Sequence, residues 1–406
     1  MNLLLDGIEA GAVIQTNLTR KITWDGITQS YPVYKVRLDL LYYNDKNDRV
    51  LTWVSEYKAE HGNSFFDKLD KTEDFNNVIE DIIIKIDPVS IKKIQSNIEI
   101  IDQRNPGVVL ADGRIIDGNR RFTCLRKLAA KSDKFNYFET VILDKSFESN
   151  AKQIRMLELS CQSREEAQFE YNSVDRLAGM YNSIVSSKLL IPAEYAKCTD
   201  DAEKDVELRI EIAELMVEFL EFINAPLQFH IARDIQIYDS IHGSVNIFKK
   251  CKTEEEKEDF KLSVFINLFM RKKGEMRLFI RCLRSVVGTA FQYDFLEEQK
   301  NIAEKVKALI PPAGEVNTKV IEEEIRANDE IIAELLKSEE IVSAKVKDAE
   351  FRNRPFRLIE KATEFIESID LGTVASMHED DAHRVKSKIM RLEKVALQIH
   401  DNLKVK

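Results

Sequence analysis

Residues 106–130, PGVVLADGRIIDGNRRFTCLRKLAA, constrain the fold more than any other part of this chain. Two short apolar runs, at 108–110 and 115–116, are rich in β-branched side chains and have the length of paired strands. Asp112 and Gly113 lie between them, and this pair tolerates the positive φ angles of a tight turn. The segment therefore predicts a β-hairpin.

A helix is predicted to begin directly after the second run, which ends at Asp117 and Gly118. Apolar side chains then recur every three or four residues and form one helical face, made of Phe122, Leu125, Leu128 and Ala129. Arg120 and Arg121 fall in the first turn, where the helix dipole disfavours cations and favours an anion. The sequence therefore predicts a phosphate or nucleotide site at this turn.

Two interpretations of the turn are open. In the structural one, Asp117 caps the helix, Gly118 permits the bend, and the arginines form surface ion pairs. In the functional one, the backbone N–H groups of Gly118, Asn119 and Arg120 hold phosphate oxygens. Arg120 or Arg121 then neutralises a triphosphate. Asp117 is the candidate catalytic carboxylate and the candidate ligand of Mg²⁺.

Four segments follow one another along the chain: residues 36–49, the Q-x-x-P sequence at 103–106, the DGNRR turn at 117–121, and residues 157–162. In this order they resemble the N-terminal domain of the ParB/sulfiredoxin superfamily, and the resemblance covers about residues 30–165. Asn119 stands where partition proteins carry an acid, so the turn is more similar to the D-G-Q-Q-R turn of restriction-associated NTPases and nucleases. Ser160 and Ser163 replace the Asn and Arg of the downstream E-N-x-Q-R motif.

The resemblance implies a nucleoside triphosphate at the DGNRR turn, with Mg²⁺ as a candidate companion and DNA as a partner. It also implies that Gln162 closes the pocket from the next helix, with Asn44 and Arg49 as weaker candidates on the opposite rim. The identity of the base and the fate of the nucleotide are left open.

The composition narrows the class of protein. A net charge of −10 argues against a surface that coats nucleic acid throughout, although it allows a local basic patch. No apolar run approaches the roughly 20 residues of a membrane span, and the N-terminus does not resemble an export signal. The five cysteines form no CxxC pair and the six histidines are dispersed, so we expect free thiols in a reducing cytoplasm and no metal cluster.

The pattern predicts an α+β domain followed by an all-α C-terminal region, and the resemblance implies that the α+β domain is of the ParB/sulfiredoxin type. The expected parts are a nucleotide-binding domain at 1–155, a helical domain at 156–310, and an amphipathic helical region at 315–406 after a Pro-Pro-Ala-Gly linker. The resemblance further implies that the domain at 156–310 is DNA-associated and has helix-turn-helix character, and oligomerisation is one candidate role of the region at 315–406. Expected strands lie at 22–24, 31–36 and 140–143, and expected helices at 88–97, 165–186, 206–223 and 227–242. The polar stretch 60–77 is expected to be a loop with a short helix.

Residues 249–284 are the most basic part of the chain, with 11 Lys and Arg against 6 Asp and Glu. The candidates for contact with the DNA backbone are Arg271, Lys272, Lys273, Arg277, Arg281 and Arg284. The alternative is a solvated helix that pairs with acidic neighbours. Near the C-terminus, apolar residues at 385, 389, 392, 396, 399 and 403 follow a heptad seam, which favours packing within the chain or, alternatively, a homodimer.

Three functions are compatible with these patterns. The first is a ParB-like NTP-binding protein that acts on or with DNA. The second is an enzyme on the same fold, either a restriction-type nuclease or NTPase or a kinase of a free amino acid, for which Asp39, Asp45 and Asp48 are further carboxylates. The third is a non-catalytic helical adaptor.

Overall fold

The structure is a computed structural model that describes residues 3–9, 11–69, 72–166 and 172–403. Within these residues the strands are β1 Val13–Trp24, β2 Ile27–Arg37, β3 Gly107–Leu110, β4 Ile115–Asp117 and β5 Tyr137–Leu143. The helices that surround the sheet are α1 Leu3–Glu9, α2 Asp48–His61, α3 Asn63–Lys68, α4 Glu73–Ile86, α5 Pro88–Ile101, α6 Asn119–Ala129 and α7 Phe147–Glu166. The α+β class predicted for the N-terminal part is confirmed.

The five strands form one mixed sheet in the order β1-β2-β5-β3-β4. Strands β3 and β5 are parallel, and the other neighbouring pairs are antiparallel. The strand expected at 140–143 is confirmed as β5, and it lies in the middle of the sheet. Residues Val108 and Val109 face opposite cores, and both are fully buried because helices cover both faces of the sheet.

Local turn chemistry fixes both hairpins. Asp25 and Gly26 have φ angles of 51° and 78°, so they form the two-residue turn that suits the twist of paired strands. Gly113 has a φ of 96°, and a Cβ there would collide with the carbonyl oxygen of Leu40. The predicted strands at 22–24 and 31–36 and the 108–116 hairpin are confirmed.

The short helix expected within the polar stretch 60–77 is present as α3, but the described residues of this stretch contain more helix and less loop than expected. Helix α2 runs to His61, α3 covers Asn63–Lys68, and α4 begins at Glu73. The start of α4 is polar in sequence because Glu73 and Asp74 occupy its first turn, where acids are favoured by the helix dipole.

The remainder is helical. Its elements are α8 Ser173–Met180, a π-helical turn Tyr181–Ser186, α9 Pro192–Thr199, α10 Glu203–Phe222, α11 Phe229–Asp234, α12 Tyr238–Phe248, α13 Glu254–Met270, α14 Lys273–Val286, α15 Gln292–Lys307, α16 Thr318–Glu323, α17 Asp329–Glu367, α18 Leu371–Ala375 and α19 Glu379–Asn402. The helix expected at 206–223 is confirmed as α10. The segment expected as one helix at 227–242 is instead divided between α11 and α12. The segment expected as one helix at 165–186 is also interrupted, because Asn172 is extended and caps the start of α8. Phe169, which the same expectation placed on this helix, lies outside the described residues.

Two compact units divide the chain, residues 1–342 and 343–406. Within the second unit, the seam residues at 389, 392, 399 and 403 are exposed. In the described parts of the chain, no helix is both long and apolar enough to cross a membrane.

Candidate functional site

A cavity of about 540 Å³ lies where the β4–α6 turn meets α2, α5 and α7. Its lining includes seven of the eight residues that the sequence predicted for the site, namely Arg49, Asp117, Gly118, Asn119, Arg120, Arg121 and Gln162. These residues come from three separate segments of the chain. The structure therefore brings the predicted residues to one place.

Gly118 starts helix α6 in a conformation that favours glycine. Its φ is 111°, and a Cβ at this position would lie 2.8 Å from Cζ of Phe138. Gly118 is also the N-cap residue, and no side chain among the described residues caps the helix. The structural interpretation in which Asp117 caps α6 is therefore wrong, and the first turn of α6 opens on the cavity.

Asp117 is held by two arginines. Its Oδ2 lies 2.8 Å from Nη1 of Arg20, and its Oδ1 accepts a hydrogen bond of 3.0 Å from Nη2 of Arg121. Burial acts to raise the pKa of Asp117, but the charges of Arg121 and Arg20 outweigh it, so the pKa lies below its usual value. Asp117 is therefore a carboxylate that orients two arginines.

The two arginines of the turn are fixed in different ways. Nη1 of Arg121 donates to the carbonyl oxygen of Asn105 at 2.8 Å, and its Nη2 donates to Asp117, so both terminal nitrogens of the guanidinium group are hydrogen-bonded. Nη2 of Arg120 lies 3.9 Å from Oδ2 of Asp87, which precedes α5. Both side chains are 16 % exposed, so their charges are only partly hydrated. A partly dehydrated, fixed guanidinium is well suited to bind an anion.

Three polar atoms that line the cavity are buried without a hydrogen-bond partner in the described part of the chain. They are Oγ of Ser90, Oδ1 of Asn119 and Nε2 of Gln162. Ser90 is 6 % exposed and Gln162 is 8 % exposed. Burying such an atom without a partner costs about 1 to 3 kcal/mol, and folded proteins therefore rarely leave one unsatisfied. Three in one cavity indicate a place for a polar ligand.

One face of α5 forms a wall of the cavity that sequence reasoning missed. Its residues recur at helical spacing and are Ser90, Lys93, Ile94, Asn97, Ile98 and Ile101. Ile83 and Ile86 of α4 extend the apolar part of this wall. The alternation of polar and apolar positions on one face of α5 was the signal available in the sequence, because a face that only packs in a core is uniformly apolar.

The cavity is cationic overall. Five basic side chains line it, Arg49, Lys93, Arg104, Arg120 and Arg121, against the carboxylates of Asp102 and Asp117. Asp117 is already engaged by arginines. Among the described residues, no group of three or more His, Cys, Asp or Glu side chains is arranged to hold a metal ion.

Asn44 is the predicted site residue that does not line the cavity. It is 1 % exposed, and its Nδ2 donates to Oε1 of Glu158 at 3.1 Å. Glu158 precedes Gln162 by one helical turn on α7. Asn44 therefore lies behind the cavity wall, where it contacts the helix that carries Gln162.

The predicted DNA-contact residues do not all lie at the surface. Arg271 is 1 % exposed, and its Nη1 bonds Oε2 of Glu339 at 2.6 Å. The expectation that Arg271 contacts DNA is therefore wrong, because its guanidinium is enclosed in the helical core. Lys273 lies 3.2 Å from Asp239, and Nη2 of Arg284 donates to the carbonyl oxygen of Gly243.

The remaining basic residues form an exposed stripe on α14. Arg277, Arg281 and Arg284 are exposed at helical spacing, and Lys272 is exposed just before the helix. The opposite face of α14 is buried through Phe279 and other apolar residues. The stripe is therefore a solvated cationic surface.

Comparison with known proteins adds no identification. No family model matches this chain, and no curated protein matches it.

Proposed function

We propose that this chain is a ParB-like protein that binds a nucleoside triphosphate at the DGNRR turn and acts with DNA. The observation that carries the proposal is the cationic cavity at the start of α6, where Ser90, Asn119 and Gln162 each bury a polar atom that has no partner among the described residues. A triphosphate offers many acceptor oxygens to the N–H groups and guanidinium groups of such a site.

The phosphate end of the ligand is assigned to the start of α6. The N–H groups of Gly118, Asn119 and Arg120 lie at a helix start, where the dipole favours negative charge. Arg121 is fixed by Asp117 and Asn105, so little side-chain entropy is lost when it binds a phosphate. The Nε2 group of Gln162 is a further donor.

The nucleoside end is assigned to α4 and α5. Ile83, Ile94 and Ile98 offer an apolar surface on which a base or ribose can pack. Ser90 and Asn97 on the same wall supply hydrogen-bonding groups. A wall of this kind favours a nucleotide over inorganic phosphate alone.

The chain's residues do not fit a Mg²⁺ ion held by Asp117. Both carboxylate oxygens of Asp117 face arginines within 3.0 Å, and a cation there would compete with two guanidinium groups. We therefore assign Asp117 to the positioning of Arg20 and Arg121 and derive no catalytic step through a metal.

The stripe on α14 is the proposed DNA contact. Exposed arginines at helical spacing can neutralise successive phosphates without reading the sequence of bases. The stripe is separate from the cavity in the chain, so the two activities can be tested by different variants.

A thermal-shift and calorimetry panel of the four common NTPs, with and without DNA, tests the proposal. A ligand that binds only the native state raises the unfolding temperature by mass action, so one NTP is expected to give a shift that DNA increases. Absence of a shift and of binding heat for all four NTPs would contradict it. Release of nucleoside diphosphate or cleavage of DNA in the same samples would favour the enzyme, and binding of neither ligand would favour the adaptor.

A further inference from the structure

A cluster of buried charges lies directly behind the cavity. Nη2 of Arg155 bonds both carboxylate oxygens of Asp48, at 2.6 and 2.7 Å, and its Nη1 bonds Oε2 of Glu158 at 3.0 Å. Nε of Arg155 donates to Oγ of Ser183 at 2.9 Å. All four side chains are buried, so these contacts admit few alternative arrangements.

A second set of buried contacts involves α2, the helix that also carries Asp48. Oγ1 of Thr52 donates to Oδ1 of Asp175 at 2.5 Å, and Nη1 of Arg233 donates to Thr52 at 3.1 Å. Nη2 of Arg233 also bonds Glu56 at 2.7 Å. Asp175 belongs to α8 and Arg233 to α11, so α2 is tied to two helices that follow the sheet domain.

The packing between α2 and α8 leaves little freedom. A Cβ at Gly179 would overlap the carboxylate of Asp48, so only glycine fits at that point of α8. Because Asp48 bonds Arg155 of α7, the close approach fixes α2, α7 and α8 together. Movement of one of these helices must disturb buried charges on the others.

Helices α2 and α7 also carry part of the cavity wall. Asn47 and Arg49 flank Asp48 in the chain, and both line the cavity. Gln162 lies one helical turn beyond Glu158 on α7, and it also lines the cavity. The residues that meet the ligand and the residues of the cluster are therefore neighbours on rigid elements.

We infer that Thr52, Arg155 and Glu158 are positioning residues, which set the places of Arg49 and Gln162 at the cavity and couple ligand binding to the order of α8 and α11. The inference rests on the proposed function, because it takes the cavity to be a ligand site. A ligand that holds Arg49 and Gln162 restrains α2 and α7. The buried contacts then pass this restraint to α8 and α11.

The test compares two isosteric variants of the full chain. Thr52→Val removes the hydroxyl that links Asp175 to Arg233, and Thr52 does not line the cavity. Thr140→Val is the matched control, since Thr140 is equally buried and its hydroxyl bonds the carbonyl oxygen of the adjacent Val141. The probes are inorganic triphosphate and the four common NTPs, with affinity measured by calorimetry and local order by hydrogen exchange.

In the native protein, triphosphate is expected to slow exchange in Ser173–Met180 and Phe229–Asp234 as well as around the cavity. Thr52→Val should weaken triphosphate binding by about three- to tenfold and abolish the slowing in those two helices. Thr140→Val should retain both. Thr52→Ser, which restores the hydroxyl, should recover the slowing. A merely structural role would change the stability of Thr52→Val but would not remove the ligand-dependent slowing in those two helices.

Two results would overturn the inference in different ways. If triphosphate binds but slows exchange only around the cavity, or if Thr52→Val and Thr140→Val behave alike, the coupling is absent and the proposed function stands. If the native protein binds neither inorganic triphosphate nor any of the four NTPs, the phosphate site fails and the inference fails with it.

Discussion

Two arginine-rich regions of this molecule differ in how their charges are held. At the start of α6, Arg120 and Arg121 are 16 % exposed and are fixed by carboxylate and carbonyl groups. On α14, Arg277 and Arg281 are exposed to solvent. Both regions are basic in the sequence, but the cavity lies at the start of α6, and the polar atoms buried there have no partner among the described residues.

The difference teaches that local charge alone does not define a binding site. Exposed guanidinium groups are hydrated and screened by salt, so they suit weak, sequence-independent contact with a polyanion. Partly buried guanidinium groups have lost hydration already and are held in place, so they suit a defined small anion. Variants of each region can test whether small-anion binding and polyanion contact are separate. The largest loss of affinity is expected for a variant of Arg121.

Replacing Arg121 by alanine should remove the main fixed cation of the cavity. We expect nucleotide affinity to fall at least about 30-fold, since truncating one partner of a buried charge pair costs roughly 2 to 5 kcal/mol. Isothermal titration with the NTP that binds the native protein measures the loss.

Arg126→Ala is the matched control for Arg121→Ala. Arg126 lies on the same helix and pairs with Glu73 and Glu80, but it does not line the cavity at the start of α6. It should lower stability while retaining nucleotide affinity. Equal loss of affinity in both variants would show that destabilisation of α6, and not a missing cation, explains the result.

The buried charges should also make stability depend on pH near neutrality. Burial raises the pKa of Glu158 to about 7, against the opposing charge of Arg155, and burial likewise raises the pKa of Asp175 to about 7. A carboxyl whose pKa is raised on folding favours the native state below its unfolded pKa, and this contribution is lost as the pH rises through the folded pKa. Stability should therefore fall between about pH 5 and pH 8.

Glu158→Gln should remove one of these titrations. Between about pH 5 and pH 8, the free energy of unfolding of Glu158→Gln should fall by about 2 to 3 kcal/mol less than that of the native protein. Urea unfolding at each pH measures the difference. Arg277→Glu should leave the pH dependence unchanged, because Arg277 is exposed. Asp117 has a lowered pKa, so its contribution should be lost only in acid, as the pH falls through that folded pKa. Parallel curves for Glu158→Gln and the native protein would refute this assignment.

Charge reversal on α14 should affect only DNA. The double variant Arg277→Glu and Arg281→Glu should weaken DNA retention about tenfold and reduce the slope of log affinity against log salt by about 2. The double variant Lys305→Glu and Lys307→Glu makes the same charge change on exposed positions of α15. If both double variants weaken gel-shift retention equally, the effect belongs to net charge and not to the stripe.

Local sequence patterns predict the turns and the helix start at the cavity, but they do not predict which distant side chains meet there. The turns at Asp25 and Asp112 and the helix start after Gly118 follow from backbone preferences of neighbouring residues, so they could be predicted. The contact of Arg20 with Asp117 joins β1 to the far side of the sheet, and no local pattern encodes it. Ser90 likewise enters the site only through the packing of α5 against α6.

The burial of Arg271 also could not be predicted from local sequence. Arg271 belongs to the most basic stretch of the sequence, yet its charge is enclosed with Glu339 from a distant helix. The acidic partner lies 68 residues away, so no local pattern distinguishes this internal arginine from the exposed Arg277. Which basic residues form a surface depends on tertiary packing.

Ser90→Ala gives the smallest effect and the sharpest separation of stability from binding. The hydroxyl of Ser90 is buried with no partner among the described residues, so its removal should leave stability unchanged or slightly higher in the absence of ligand. If the hydroxyl bonds the nucleotide, affinity should nevertheless fall about fivefold, which corresponds to one hydrogen bond of about 1 kcal/mol. Ser96→Ala, on an exposed position of the same helix outside the cavity, should change neither quantity. Calorimetry and urea unfolding of the two variants measure both, and a loss of stability in Ser90→Ala without a loss of affinity would mean that this hydroxyl serves the fold and not the ligand.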